Sequence, residues 1–165
     1  MKKESICCTF IRCTYEELPQ EDKQLADAAK AACHTSYSPY SHFQVGCALR
    51  LDNDIILTGS NQENAAYPSG MCAERTVLYH AGAAYPQSAV AALAIAAHTA
   101  DGFTHTPCPP CGACRQVMME TENRHGGHPM RIILYGVSEC YIIEDGTQAL
   151  LPLQFNDATL TSCTH

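Results

Sequence analysis

The sequence predicts one layered α/β domain, and three observations carry that prediction. At 165 residues the chain is long enough for a single domain with a sizeable core and short for two. Its 46% hydrophobic and 16% charged residues are the balance of an ordinary globular protein rather than a disordered one. Helix-type and strand-type apolar patterns interleave as helix–β–β–helix–β–helix–β–β, the order expected when helices cover a sheet.

Residues 1–19 are mixed in character and end in Pro19, so they read as a loosely packed leader. From Glu21, the stretch EDKQLADAAKAACHTSY carries Leu25, Ala28, Ala29, Ala32 and Cys33 at helical spacing with acids at its start, which predicts a helix. SYSPYS is a loop. FQVGCALRL and IILTGS are apolar runs split by Asp52-Asn53-Asp54, the signature of a β-hairpin. NQENAAYPSG is a second loop, closed by Pro68 and Gly70. MCAERTVLYHAG places Val77, Leu78 and Ala81 on one face, with Gly82 as a C-terminal stop.

SAVAALAIAAH has helix-forming alanines, yet its shortness and its position between a helix and a loop favour a buried strand. CRQVMMETEN is a third amphipathic segment. RIILYG and CYIIEDG complete a set of five strands, and TQALLPLQF predicts a short helix running into a tail.

The formal net charge of −7, with ten Lys and Arg scattered along the chain, argues against a nucleic-acid partner. A small polar substrate suits this balance better. The longest apolar run, SAVAALAIAA, is about half the ~20 residues needed to span a bilayer. Eleven cysteines raise the question of disulfides. Their number is odd, and Arg12 with its polar neighbours interrupts any signal-type apolar stretch in MKKESICCTFIRC, so a reducing cytoplasm with free or metal-bound thiols is the expectation.

The stretch TPCPPCGACRQ contains two overlapping Cys-x-x-Cys motifs, Cys108-Pro-Pro-Cys111 and Cys111-Gly-Ala-Cys114. A thiolate needs N–H groups and a helix N-terminus to stabilise its charge. Two prolines follow Cys108 and offer no N–H. Gly112, Ala113 and Cys114 have free amides and begin a helical pattern, so Cys111 and Cys114 are the favoured pair. A redox Cys-x-x-Cys would instead sit directly after a strand. Cys72, in MCAER, lies at another predicted helix start with Glu74 two residues on. Three thiolates at two helix N-termini leave the fourth zinc position for water, as in a catalytic site. The alternative is a closed structural site with Cys108 as fourth ligand. The eight histidines read as surface or loop residues, and Cys7, Cys8, Cys13, Cys33, Cys47, Cys140 and Cys163 as free thiols.

Cys-x-Glu followed by Pro-Cys-x-x-Cys resembles the zinc-deaminase signature in its all-cysteine variant. YSPYSHFQVGCAL, NQENAAYPSGMCAERT, PCGACRQV and LLPLQF extend the resemblance, in collinear order over residues 20–155, to the small cytidine deaminases that act on free nucleosides. The leader 1–19, the tail 156–165 and the Cys-Pro-Pro before Cys111 depart from that pattern. The resemblance implies a three-layer α/β/α domain over 20–155 with a central mixed five-stranded sheet. It also implies a homotetramer with shared active sites and one Zn²⁺ per chain, held by Cys72, Cys111 and Cys114.

In residue terms the resemblance implies that Glu74 shuttles protons and that Arg75 hydrogen-bonds ligand sulfurs. Asn61 and Glu63 are implied to hold the ribose 3′-hydroxyl, Phe43 to stack on the pyrimidine, and the Ala73 amide to donate to the base O2. Tyr67 lines the same pocket, and Phe155 completes the site of a neighbouring subunit. The implied reaction is deamination of cytidine and 2′-deoxycytidine in pyrimidine salvage. The alternatives are a deoxycytidylate or other zinc-dependent base deaminase, or an inactive zinc-binding interaction module.

Overall fold

The structure is a computed structural model and describes residues 1–157. Cys163, His165 and most of the expected tail lie outside the described residues. The chain runs β1 (Ile11–Cys13), α1 (Gln20–Ala32), β2 (Gln44–Leu51), β3 (Ile56–Ser60), α2 (Ala73–Ala84), β4 (Val90–Thr99), β5 (Gly102–Phe103), α3 (Gly112–Arg124), β6 (Arg131–Leu134), β7 (Cys140–Ile143) and α4 (Thr147–Leu150).

One mixed sheet is formed in the order β1-β7-β6-β4-β2-β3, with β5 paired to the end of β4. Among the described strands, β4 and β6 pair in parallel and the other pairs are antiparallel. Among the described residues the sheet has seven strands where the sequence predicts five. The two additions are the shortest. β1, within the leader, pairs through Ile11–Ile142, Arg12–Tyr141 and Cys13–Cys140, while β5 is a two-residue return held by His98–Phe103 and Thr99–Gly102. Neither is long enough to display a period-2 pattern.

Alternation along the strands sorts the core into two layers. Cys47, Leu49 and Leu51 of β2 and Leu93 and Ile95 of β4 face a cluster that includes Val77 and Leu78 of α2, Met118 of α3 and Leu150 of α4. The intervening Ala48, Ala92, Ala94 and Ala96 face α1 through Leu25, Ala26 and Ala29. The result is the three-layer α/β/α arrangement. The alanines of SAVAALAIAAH therefore mark a strand whose back face must be small, because α1 lies against it.

Gly46 shows how close that approach is: a Cβ there would collide with the Ala29 carbonyl and lie 2.6 Å from Cys33 N. On the opposite face, a Cβ at Gly59 would come within 2.9 Å of Val77 N and 3.1 Å of Ala73 O. Gly59 thus lets the first turns of α2 lie directly on β3, which sets the height of Cys72 above the sheet.

Gly82 does not end α2, which continues to Ala84 with Gly82 at helical, negative φ. A Cβ on Gly82 would stand 2.7 Å from Arg124 Nη1, so the residue is small to admit the end of α3 rather than to stop a helix. Burying the start of α1 also requires a charge partner. Asp22 is buried in its first turn and accepts from Arg131 Nε of β6 at 3.0 Å, while Arg131 Nη1 reaches Glu144 at 2.6 Å.

Candidate metal centre and adjoining cleft

Cys72 is the N-cap of α2 and Cys111 the N-cap of α3, and neither uses its side chain to cap. Both sulfurs are left to point toward each other. Cys114, one turn into α3, is fully buried beside them. The Cys72 and Cys111 sulfurs are 3.9 Å apart and those of Cys111 and Cys114 3.5 Å, with all three inside 4.8 Å of one another. Three sulfurs on a tetrahedral zinc with ~2.3 Å bonds would be separated by about 3.8 Å. The donor set and its spacing fit Zn²⁺, and two helix N-termini supply the positive end that thiolates require.

The electrostatics follow from this crowding. The Cys72 thiol is held down to about 5, first by the hydrogen bond from Cys114 and further by those of Arg75 and Cys111, against the effect of its partial burial. Cys114, as donor to Cys72, is pushed up. Arg75 Nη2 donates to Cys72 Sγ at 3.6 Å, and that thiolate in turn raises the guanidinium.

Glu74, in the first turn of α2, is only 5% exposed. Burial lifts its carboxyl above the usual carboxylate range, and the Cys72 charge pushes the same way. Cys47 of β2 is completely buried and feels the charge of Glu74. Cys108 stands outside the sulfur trio, its thiol raised by burial and by the Glu74 charge.

A cleft of about 360 Å³ adjoins the trio, lined by Asn61, Glu63 and Tyr67 together with Cys72 and Arg75. Asn61 is anchored on three sides: Oδ1 accepts from Ser36 Oγ at 2.5 Å and Val45 N at 2.8 Å, and Nδ2 donates to the Phe43 carbonyl at 2.9 Å. Glu63 Oε2 accepts from the Tyr40 and Ser41 amides at 2.9 and 3.2 Å, and the hydrogen bond from the Ser41 side chain does most to hold its carboxyl below the usual range. Tyr67 is 77% exposed at the rim and meets Tyr40 edge-on.

Glu74, Cys111 and Cys114 do not line this cleft, and neither do three of the expected substrate contacts. Phe43 is half-buried just before β2, Ala73 is buried as the first residue of α2, and Phe155 is 57% exposed with its carbonyl held by Gln116 Nε2 at 2.9 Å. The cleft also contains Tyr40, Gln62, Asn64 and Met71, which the sequence reading leaves out. Their signal is adjacency: each stands in or beside SYSPYS or NQENAAYPSGMC, loops that already carry recognised positions. A second, larger cleft, lined by Ser36, His42, Gln44 and His98 among others, includes none of the three thiols.

Fold and site together define an α/β/α protein with a metal-competent three-cysteine centre and a buried carboxylate beside it. A sequence profile of the cytidine and deoxycytidylate deaminase zinc-binding region matches residues 19–125. A cytidine deaminase of Halalkalibacterium halodurans is 44% identical over 100 residues, spanning 60% of this chain and 71% of that one. One from Mycobacterium tuberculosis is 36% identical over 121 residues, spanning 69% and 84%. The crystal structure of cytidine deaminase from Burkholderia pseudomallei superposes with a TM-score of 0.70 at 37% identity, covering 84% of this chain and all of that one. The chain belongs to the cytidine and deoxycytidylate deaminase family of zinc-dependent hydrolases.

Proposed function

We propose that the protein hydrolyses cytidine and 2′-deoxycytidine to uridine and 2′-deoxyuridine, releasing ammonia. The observation that carries this reading is the meeting of three thiols at two helix N-termini with a buried carboxylate, at the end of a cleft lined by Asn61 and Glu63. A zinc ion held by Cys72, Cys111 and Cys114, one per chain, supplies the Lewis acidity that activates water for attack on C4 of the pyrimidine.

The chain's own residues do the rest. Glu74 accepts a proton from the attacking water and passes it to N3, then takes the proton of the new C4 hydroxyl and gives it to the amine, which departs as ammonia while C4 becomes a carbonyl. A carboxyl raised by burial suits this task, since it must both take and give a proton near neutral pH. Arg75 offsets the net negative charge of three thiolates around one divalent cation. The second N–H of the anchored Asn61 amide and the Oε1 of Glu63 are one donor and one acceptor, the pair that a single ribose hydroxyl needs. Phe43 and the Ala73 amide address the base, and Phe155 acts on the site of a neighbouring copy within a homotetramer. The free thiols fit a cytoplasmic enzyme of pyrimidine salvage.

Glu63 also disfavours a phosphate at the ribose end, which separates a nucleoside deaminase from a deoxycytidylate one. Ammonia release from cytidine, measured beside cytidylate at equal concentration, tests this. Turnover of cytidine alone is expected, whereas a preference for cytidylate would replace the reading with its nucleotide alternative.

A further inference from the structure

Consecutive residues of α3 grip the C-terminal segment at two points. Arg115, directly after Cys114, donates from Nη1 to the Leu150 carbonyl at 2.7 Å, and Gln116 donates from Nε2 to the Phe155 carbonyl at 2.9 Å. Leu150 ends α4, so its carbonyl has no acceptor role within that helix. Between the two grips, Leu153 adopts a φ of 54°, a left-handed conformation uncommon for a leucine, with its side chain exposed. The turn that presents Phe155 is thus fastened at both ends to the helix that carries two of the three thiols.

Arg115 does more than fasten the tail. Its Nε donates to the Pro110 carbonyl at 2.9 Å. Pro109 and Pro110 have no N–H, so the run into Cys111 can be tied down only through its carbonyls. One planar guanidinium therefore bridges the peptide entering Cys111 and the end of α4, a geometry that a lysine cannot reproduce.

We propose that Arg115 and Gln116 are positioning residues forming a clamp: Arg115 sets Cys111 for the metal, and Gln116 sets Phe155 for the neighbouring copy. The Gln116 role rests on the shared-site reading of Phe155 given above. The Arg115 role rests on the sulfur trio alone.

The test uses zinc-loaded, full-length protein. Transfer of zinc to an excess of a chromogenic chelator is measured for wild type and Arg115→Lys. Zinc affinity is expected to fall by about 10-fold or more in Arg115→Lys, the lower end of what loss of a ligand-orienting group costs. Cytidine kinetics are measured for Gln116→Ala, for Gln116→Glu (nearly isosteric but unable to donate), for Phe155→Ala, and for Gln116→Ala combined with Phe155→Ala. Each Gln116 variant is expected to raise KM about 2- to 10-fold, the span of one net hydrogen bond, with zinc affinity unchanged. In the double variant the Gln116 change should add nothing to the Phe155 loss.

Wild-type zinc transfer in Arg115→Lys overturns the Arg115 role. Additive Gln116 and Phe155 losses overturn the Gln116 role while leaving the shared site intact. Unchanged kinetics in Phe155→Ala overturn the shared-site reading itself, and the Gln116 role with it.

Discussion

A carboxylate buried beside three thiols is costly to ionise, and Glu74 bears that cost in its raised pKa. Replacing it with glutamine keeps shape and burial but removes the proposed proton carrier. Glu74→Gln is therefore expected to fold and hold zinc while kcat falls by at least ~10²–10⁴-fold, read by ammonia release at matched zinc content. The three thiols are the proposed zinc ligands. Replacing Cys72, Cys111 or Cys114 by alanine should abolish stoichiometric zinc in metal analysis, whereas Cys108→Ala should retain it, because the Cys108 sulfur lies outside the trio. Zinc loss in Cys108→Ala with Cys114 dispensable would reverse the choice of pair.

Residue by residue, the sulfur trio was legible because its chemistry is written locally. Each thiol begins or enters a helix, and two prolines disqualify Cys108. Tyr40, Gln62, Asn64 and Met71 were not legible, since only the meeting of two loops turns them into a cleft wall. Asn61 is a mixed case: it lines the cleft, but its grip on Phe43, Val45 and Ser36 depends on strand geometry that no local pattern displays.

Among the elements, those with a full period could be read from sequence and those without one could not. FQVGCALRL alternates over the whole of β2, and EDKQLADAAKAA keeps its apolar face through α1. Ile11–Cys13 is too short to show a period, and its pairing is decided by β7 offering an edge. Gly82 misled because a glycine that admits a neighbouring side chain looks, in sequence, like one that stops a helix.

Two predictions belong to this scale. Gly46→Ala forces a methyl into the backbone of α1, so it should lower stability in urea unfolding by about 1–3 kcal/mol or more, overpacking against backbone being hard to relieve. The junction of leader and α1 gives the pH dependence. Tyr15 donates to Asp27 Oδ2 at 2.7 Å, and that bond pushes its phenol up to about 12. An unfolded tyrosine ionises near pH 10, so this contribution is complete below about pH 10 and is lost as pH rises through about 12. Tyr15→Phe should flatten that alkaline loss, seen by comparing unfolding midpoints at about pH 9 and about pH 12. An unaltered alkaline slope in the variant would detach Tyr15 from it.

At the scale of the whole molecule, one chain presents an open cleft and an exposed phenylalanine that does not reach it. A pocket that discriminates by buried polar groups must exclude water, and in the shared-site proposal a second copy supplies the missing wall. Phe155→Ala should then cost about 5- to 150-fold in kcat/KM with zinc unchanged, the range of one aromatic–base stack. A monomer that is fully active at the assay concentration, by light scattering, would show that the site closes within one chain.

In the proposed mechanism, deamination depends on one zinc held at three cysteines. Ammonia release from cytidine, followed while zinc is returned stepwise to chelator-stripped protein, measures that dependence. The predicted result is a rise from no activity to a plateau at one zinc per chain, with no recovery in a Cys114→Ala variant carried through the same titration. Sustained turnover in the stripped protein, or full recovery in the variant, would contradict it.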